Sequence, residues 1–199
     1  AHHLLRPHHH LLTRQPVIAD LFVAAYEAST VVASFSKRIS GHPLSSLSTM
    51  DTGALIATLA SADVADEERY AALGALSDIA ADSFGQDAAS LAQAIRDADG
   101  IRALIACIDA PAIDAQQCAM SLIGNLLTDI FDSEARRSLQ LFADAGGLSR
   151  LQAKLTSEFP IDLFAAAALQ NVTALDPDQC CTELRASGCD VALTKIATG

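Results

Sequence analysis

Two stretches of this 199-residue chain, IRDADGIRALI at 95–105 and FADAGGLSRLQ at 142–152, carry one pattern in one register. Ile95, Ala98, Gly100, Leu104 and Ile108 fall on Phe142, Ala145, Gly147, Leu151 and Leu155, each pair 47 residues apart. A third copy follows 42 residues later, with Leu184, Ser187, Cys189 and Leu193 in the corresponding places and the glycine one place back, at Gly188. A period of about 40 to 47 residues belongs to stacked helical repeats of two or three helices. This constrains the fold more than any other feature, because such a unit buries its apolar face only against its neighbours.

Within each unit the glycine marks a joint. A helix ending in IRDAD must turn sharply into one beginning IRALI, and a residue without Cβ tolerates both positive φ and close backbone approach. Hydrophobes then recur at helical spacing in IRALIACI and LSRLQAKL. Pro111 and Pro160 come next, near the start of a further helix where a missing N–H costs least. Each unit thus reads as helix, turn, helix, turn, longer helix. Composition agrees: 51% hydrophobic residues with 5% aromatics and no Trp favour closely packed helices over sheets, and predict an all-α chain.

The longer helix carries a second phased signal. Asn125 and Asn171 stand 25 and 24 residues after Gly100 and Gly147, in the otherwise apolar runs QQCAMSLIGNLLTD and DLFAAAALQNVTALD. Asparagine is a mediocre helix-interior residue and costly to bury unpaired, so its recurrence calls for a reason. At 100° per residue Gln117, Ser121, Asn125 and Thr128 share about a quarter turn beside the apolar sector of Ala119, Leu122 and Leu126. They are expected to form an outward polar stripe. A worn earlier unit is legible in GALIATLASADVADEERYAALGALSDIAAD, with a helix near Leu55 and Leu59 and another from Tyr70 to Asp82. Asp78 precedes Asn125 by 47 residues. Gly53 also precedes Gly100 by 47, but the flanking leucines fit better if the register slips by two.

On DADGIRALIACID with AMSLIGNLL, and DAGGLSRLQAKLT with AAALQNVTA, residues 50–199 resemble the armadillo-repeat family. The resemblance implies a right-handed α-α superhelix, here of about three repeats plus a truncated one, whose third helices line a concave groove. It also implies that the third-helix asparagines, Asn125 and Asn171, hydrogen-bond the backbone of an extended peptide, one carboxamide supplying both a donor and an acceptor. Asp78, with Asp82 one turn on, would instead attract Lys, Arg or a backbone N–H. The pattern departs from importin-like members, which set a Trp four residues before the asparagine: Ser121, Ala167 and Gly74 occupy those places, arguing against nuclear-import cargo. A bracing role for Asn125 and Asn171 between neighbouring turns is the competing reading. The last unit, QCCTELRASG and DVALTKIATG, lacks a third helix, which suggests an array continuing beyond residue 199 or an exposed docking edge.

Charge and side-chain chemistry bound the function. The net charge of -11 is uneven: residues 1–50 hold four Lys/Arg against Asp20 and Glu27, and the remainder holds nine bases against 22 acids. Such a surface disfavours nucleic acid and anionic membrane and favours a basic or neutral protein segment. The five cysteines are an odd number within apolar helical patterns, read as buried small hydrophobes in a reducing compartment, with no metal and no cofactor expected. Residues 1–16 read as a disordered His-rich tail and 17–49 as an N-terminal capping helix with its linker. The apolar run from Val17 to Phe35 carries Asp20 and Glu27, each costing about 2.5 to 3.5 kcal/mol mid-bilayer, so a buried helix is preferred to a span. A cytoplasmic or nuclear location is expected, with an organelle-targeting remnant as the alternative. No Gly-rich phosphate loop or nucleophile elbow is present and no histidine follows His42, which argues against an enzyme. The sequence thus points to a protein-binding scaffold using Asn125, Asn171, Ser121, Gln117, Asp78 and Asp82, or alternatively to an assembly module or chaperone cofactor using its apolar end faces.

Overall fold

The apolar 3.6-residue periodicity after residue 50 resolves into helices whose ends follow from local chemistry. The structure, a computed structural model, describes residues 51–176 together with positions 182, 186–189, 191, 192 and 195. Among these there are eight helices and no strand: α1 (Thr52–Ala60), α2 (Asp66–Asp82), α3 (Gln86–Asp97), α4 (Gly100–Cys107), α5 (Ile113–Leu126), α6 (Ala135–Asp144), α7 (Gly147–Lys154) and α8 (Ile161–Leu175). The chain is all-α over this range. The proposed tail at 1–16 and capping helix at 17–49 lie outside the described residues, as do Leu184 and Leu193. Among the described residues no helix is long and apolar enough to cross a membrane.

Asp51 caps α1 by accepting the Gly53 N–H at 3.2 Å. Asp66, Glu67 and Glu68 occupy the first turn of α2, Asp114 that of α5 and Asp162 that of α8, where the helix dipole favours negative charge. The joints divide the work that the sequence assigns to one glycine. The left-handed residue is Asp99 (φ 55°), Gly146 (φ 77°) or Gly188 (φ 73°), one place before Gly100, Gly147 and Cys189. Gly188 therefore sits where a left-handed residue is needed, and its displacement in the third copy is explained. Gly100 and Gly147 lack positive φ and serve close approach instead. A Cβ on Gly100 would lie 2.9 Å from the Ile95 carbonyl oxygen, and one on Gly147 would overlap the buried Phe142 ring.

Packing repeats with the sequence. The third helices lie side by side, α2 against α5 and α5 against α8, while α4 packs on α3 and α5, and α7 on α6 and α8. Across units α1 packs on α4 and α4 on α6. The buried residues Leu55, Ile56 and Leu59 of α1 precede Leu104, Ile105 and Ile108 by 49 residues, which is the two-residue slip the leucines suggest. Cys189 is buried and Ala192 packs against the same core, so the chain beyond α8 continues onto it.

A buried ion pair crosses between units. Arg96 of α3 ion-pairs with Asp132, both side chains being 2% exposed, and donates to Ser138 Oγ of α6 at 2.9 Å. Asp132 also accepts the Glu134 N–H at 2.9 Å, anchoring the turn between α5 and α6. The Nε of Arg96 is buried with no partner among the described residues.

These contacts set stability expectations readable in urea titrations. Gly100→Ala and Gly147→Ala should each cost about 1 to 3 kcal/mol through overpacking. Asp99→Gly should raise stability by about 0.5 kcal/mol, since relief of the left-handed strain outweighs the added chain entropy. Arg96→Met should cost about 3 to 5 kcal/mol by stranding Asp132, and much of that loss should return in Arg96→Met/Asp132→Asn, which leaves no lone charge.

Candidate partner-binding surface

The three longer helices α2, α5 and α8 lie in a row. Asp78 of α2, Ser121 and Asn125 of α5, and Asn171 of α8 are half-buried, and Asp82 is exposed at the end of α2. Between α5 and α8 runs a shallow cleft of about 50 Å³. Met120, Ser121, Gly124 and Asn125 line one wall; Phe164, Ala167, Ala168 and Asn171 line the other. The space holds a few waters or one small side chain and is far below the roughly 300 to 1,000 Å³ of a small-molecule pocket. Small residues make it shallow, as expected where Ser121 and Ala167 stand four places before the asparagines.

The two carboxamides differ in occupation. Asn171 Nδ2 donates to the Gly124 carbonyl of α5 at 2.9 Å, tying adjacent third helices, and its oxygen accepts no hydrogen bond from the described residues. The carboxamide of Asn125 makes no hydrogen bond to the described residues. A Cβ added at Gly124 would lie 3.6 Å from Asn171 Nδ2, an ordinary van der Waals contact. Ser77, 47 residues before Gly124, hydrogen-bonds Cys118.

The other expected residues disperse. Gln117, taken from its wheel position to face outward, is 5% exposed and lies outside the cleft lining. Its wheel angle fixes a direction but not what covers it. Asp78 has a partner within the fold, and Asp82 is remote from the α5–α8 cleft on the far helix. Ser121, Asn125 and Asn171 are the ones brought together.

The surroundings are acidic. Every Lys and Arg from 51 to 176 except Arg136 is held in an ion pair among the described residues. Burial pushes the half-buried Cys118 thiol up to about 11, with a Ser77 hydrogen bond opposing and Asp78 and Asp114 adding to the rise. Cys107 and Cys189 are buried; Cys180 and Cys181 lie outside the described residues.

Two groups of residues escape sequence reasoning. One is the Arg96–Asp132–Ser138 tie, whose only sequence signal is that Arg96 shares the buried stripe of α3 with Ala88, Leu91, Ala92 and Ile95. The other is the pair of exposed hydrophobes Phe84 and Ile130 in the turns after α2 and α5, 46 residues apart. No protein-family model matches this chain, and no curated protein matches it.

Two measurements check this geometry. Asn171→Ala should lower stability by about 1 kcal/mol through loss of its tie, whereas Asn125→Ala should leave it within about 0.5 kcal/mol. Because the Cys118 thiol titrates higher in the folded chain than its ordinary value of 9.0, its stabilisation is complete below pH 9 and is lost as pH rises toward 11. Stability should therefore fall more steeply between pH 9 and 11 in the native chain than in Cys118→Ala.

Proposed function

We propose that the chain is a non-enzymatic protein-binding scaffold of the armadillo type, a right-handed superhelix whose third helices take an extended segment of a partner protein. The observation that carries this reading is Asn125: a half-buried carboxamide beside the cleft, uncommitted among the described residues, with Ser121 one turn before it on the same helix and Asn171 on the facing wall. A peptide backbone needs one donor and one acceptor per residue, and it loses water partners when it lies in a groove. An idle carboxamide restores both. The acidic surroundings favour a segment carrying Lys or Arg over an acidic one, and oppose nucleic acid.

A second reading has its own support. The Asn171–Gly124 bond is internal, which is what a bracing asparagine in an assembly module would make. The two are separated by titrating the chain with a library of extended peptides. The groove reading expects Asn125→Ala to weaken the best peptide about tenfold with thermal unfolding unchanged, the size of losing one or two hydrogen bonds. Unchanged affinity in Asn125→Ala, together with concentration-dependent association in sedimentation, would support assembly through the end faces instead.

A further inference from the structure

We propose that the row of turns following the third helices is a second docking surface, receiving a basic amphipathic helix of a partner protein on Phe84 and Ile130. These are the two most exposed large hydrophobes in the described chain, Ile130 at 95% and Phe84 at 78%. Both lie in turns that follow third helices, Phe84 two residues past the end of α2 and Ile130 four past the end of α5, and those helices lie side by side. The axes of such neighbouring helices stand roughly 8 to 10 Å apart.

Neither residue is a loose loop tip. The turn after α2 is fixed by Ser83 Oγ donating to the Ile79 carbonyl at 2.7 Å and by the Asp87 N–H donating to the Phe84 carbonyl at 3.2 Å. In the turn after α5, Thr128 Oγ1 donates to the Asn125 carbonyl and accepts the Phe131 N–H, each at 3.2 Å. Phe131 is buried and Asp132 is held by Arg96. The residues on the C-terminal side of Ile130 are thus drawn inward while Ile130 is held out. Anchors fixed in place before a partner arrives lose little freedom on binding.

Charge selects the partner. Asp82 closes α2 and Asp129 adjoins Ile130, both at the negative ends of helix dipoles, and neither α2 nor α5 has a basic residue in its last turn. Carboxylates there work against the fold's own electrostatics, and a cationic partner relieves that. A second copy of this chain would bring carboxylates to carboxylates, and an anionic lipid surface or nucleic acid would do the same with phosphates. An amphipathic helix flanked by Lys or Arg offers an apolar stripe to Phe84 and Ile130 and positive charge to Asp82 and Asp129.

The test uses the full chain and three labelled peptides followed by fluorescence anisotropy: a leucine–lysine amphipathic helix, its leucine–glutamate counterpart, and oligolysine. The leucine–lysine helix alone should bind, and Phe84→Ser and Ile130→Ser should each weaken it about tenfold with helicity and Tm unchanged. Asn125→Ala should leave it unaffected, which separates this surface from the third-helix groove whatever becomes of that reading. Equal binding of oligolysine or of the glutamate peptide overturns the proposal. So does native affinity in the serine variants, equal weakening in Asn125→Ala, or self-association of the chain that the serine variants abolish.

Discussion

Two places where a methylene group cannot fit govern the rest of the structure. At Gly100 and Gly147 the incoming helix is pressed so tightly on the outgoing one that a Cβ would overlap the Ile95 carbonyl or the Phe142 ring. That closeness lets a two-residue joint reverse the chain, brings α4 and α7 under α5 and α8, and leaves the longer helices to lie against one another. The strain is carried by the neighbours: Gly146 and Gly188 take the left-handed conformation freely, while Asp99 takes it with a side chain.

This division explains what was legible in the sequence. The spacing of Gly100 and Gly147 located the joints, and the leucine register placed α1 two residues out of phase, because both signals are local and periodic. Of the two properties a glycine offers at such a joint, Gly100 and Gly147 use close approach while the preceding residue takes positive φ, and sequence spacing does not distinguish a residue that turns from one that is crowded. Gln117 illustrates a second limit: 100° steps orient a side chain on its own helix and carry no information about the neighbouring one. The Arg96–Asp132 pair joins residues 36 apart with no period behind it, and only the packed structure brings them together.

The candidate surface divides similarly. Sequence phase singled out Asn125 and Asn171, and the fold sets both beside the same cleft. It also makes them unequal. Asn171 reaches the Gly124 carbonyl of the adjacent helix, whereas the Asn125 carboxamide has no hydrogen bond among the described residues. On the proposed reading, one asparagine sets the spacing of the third helices and the other serves the ligand.

The central claim is that Asn125 is idle in the free chain and engaged in the bound one. Side-chain amide resonances of Asn125 and Asn171, followed by NMR with the best peptide from the library, address it directly. The account predicts rapid solvent exchange at Asn125 and slower exchange at Asn171 in the free chain, with the Asn125 pair shifting and gaining protection as peptide is added. Protection of Asn125 before any peptide is present, or a peptide that saturates the chain without moving those resonances, would contradict it.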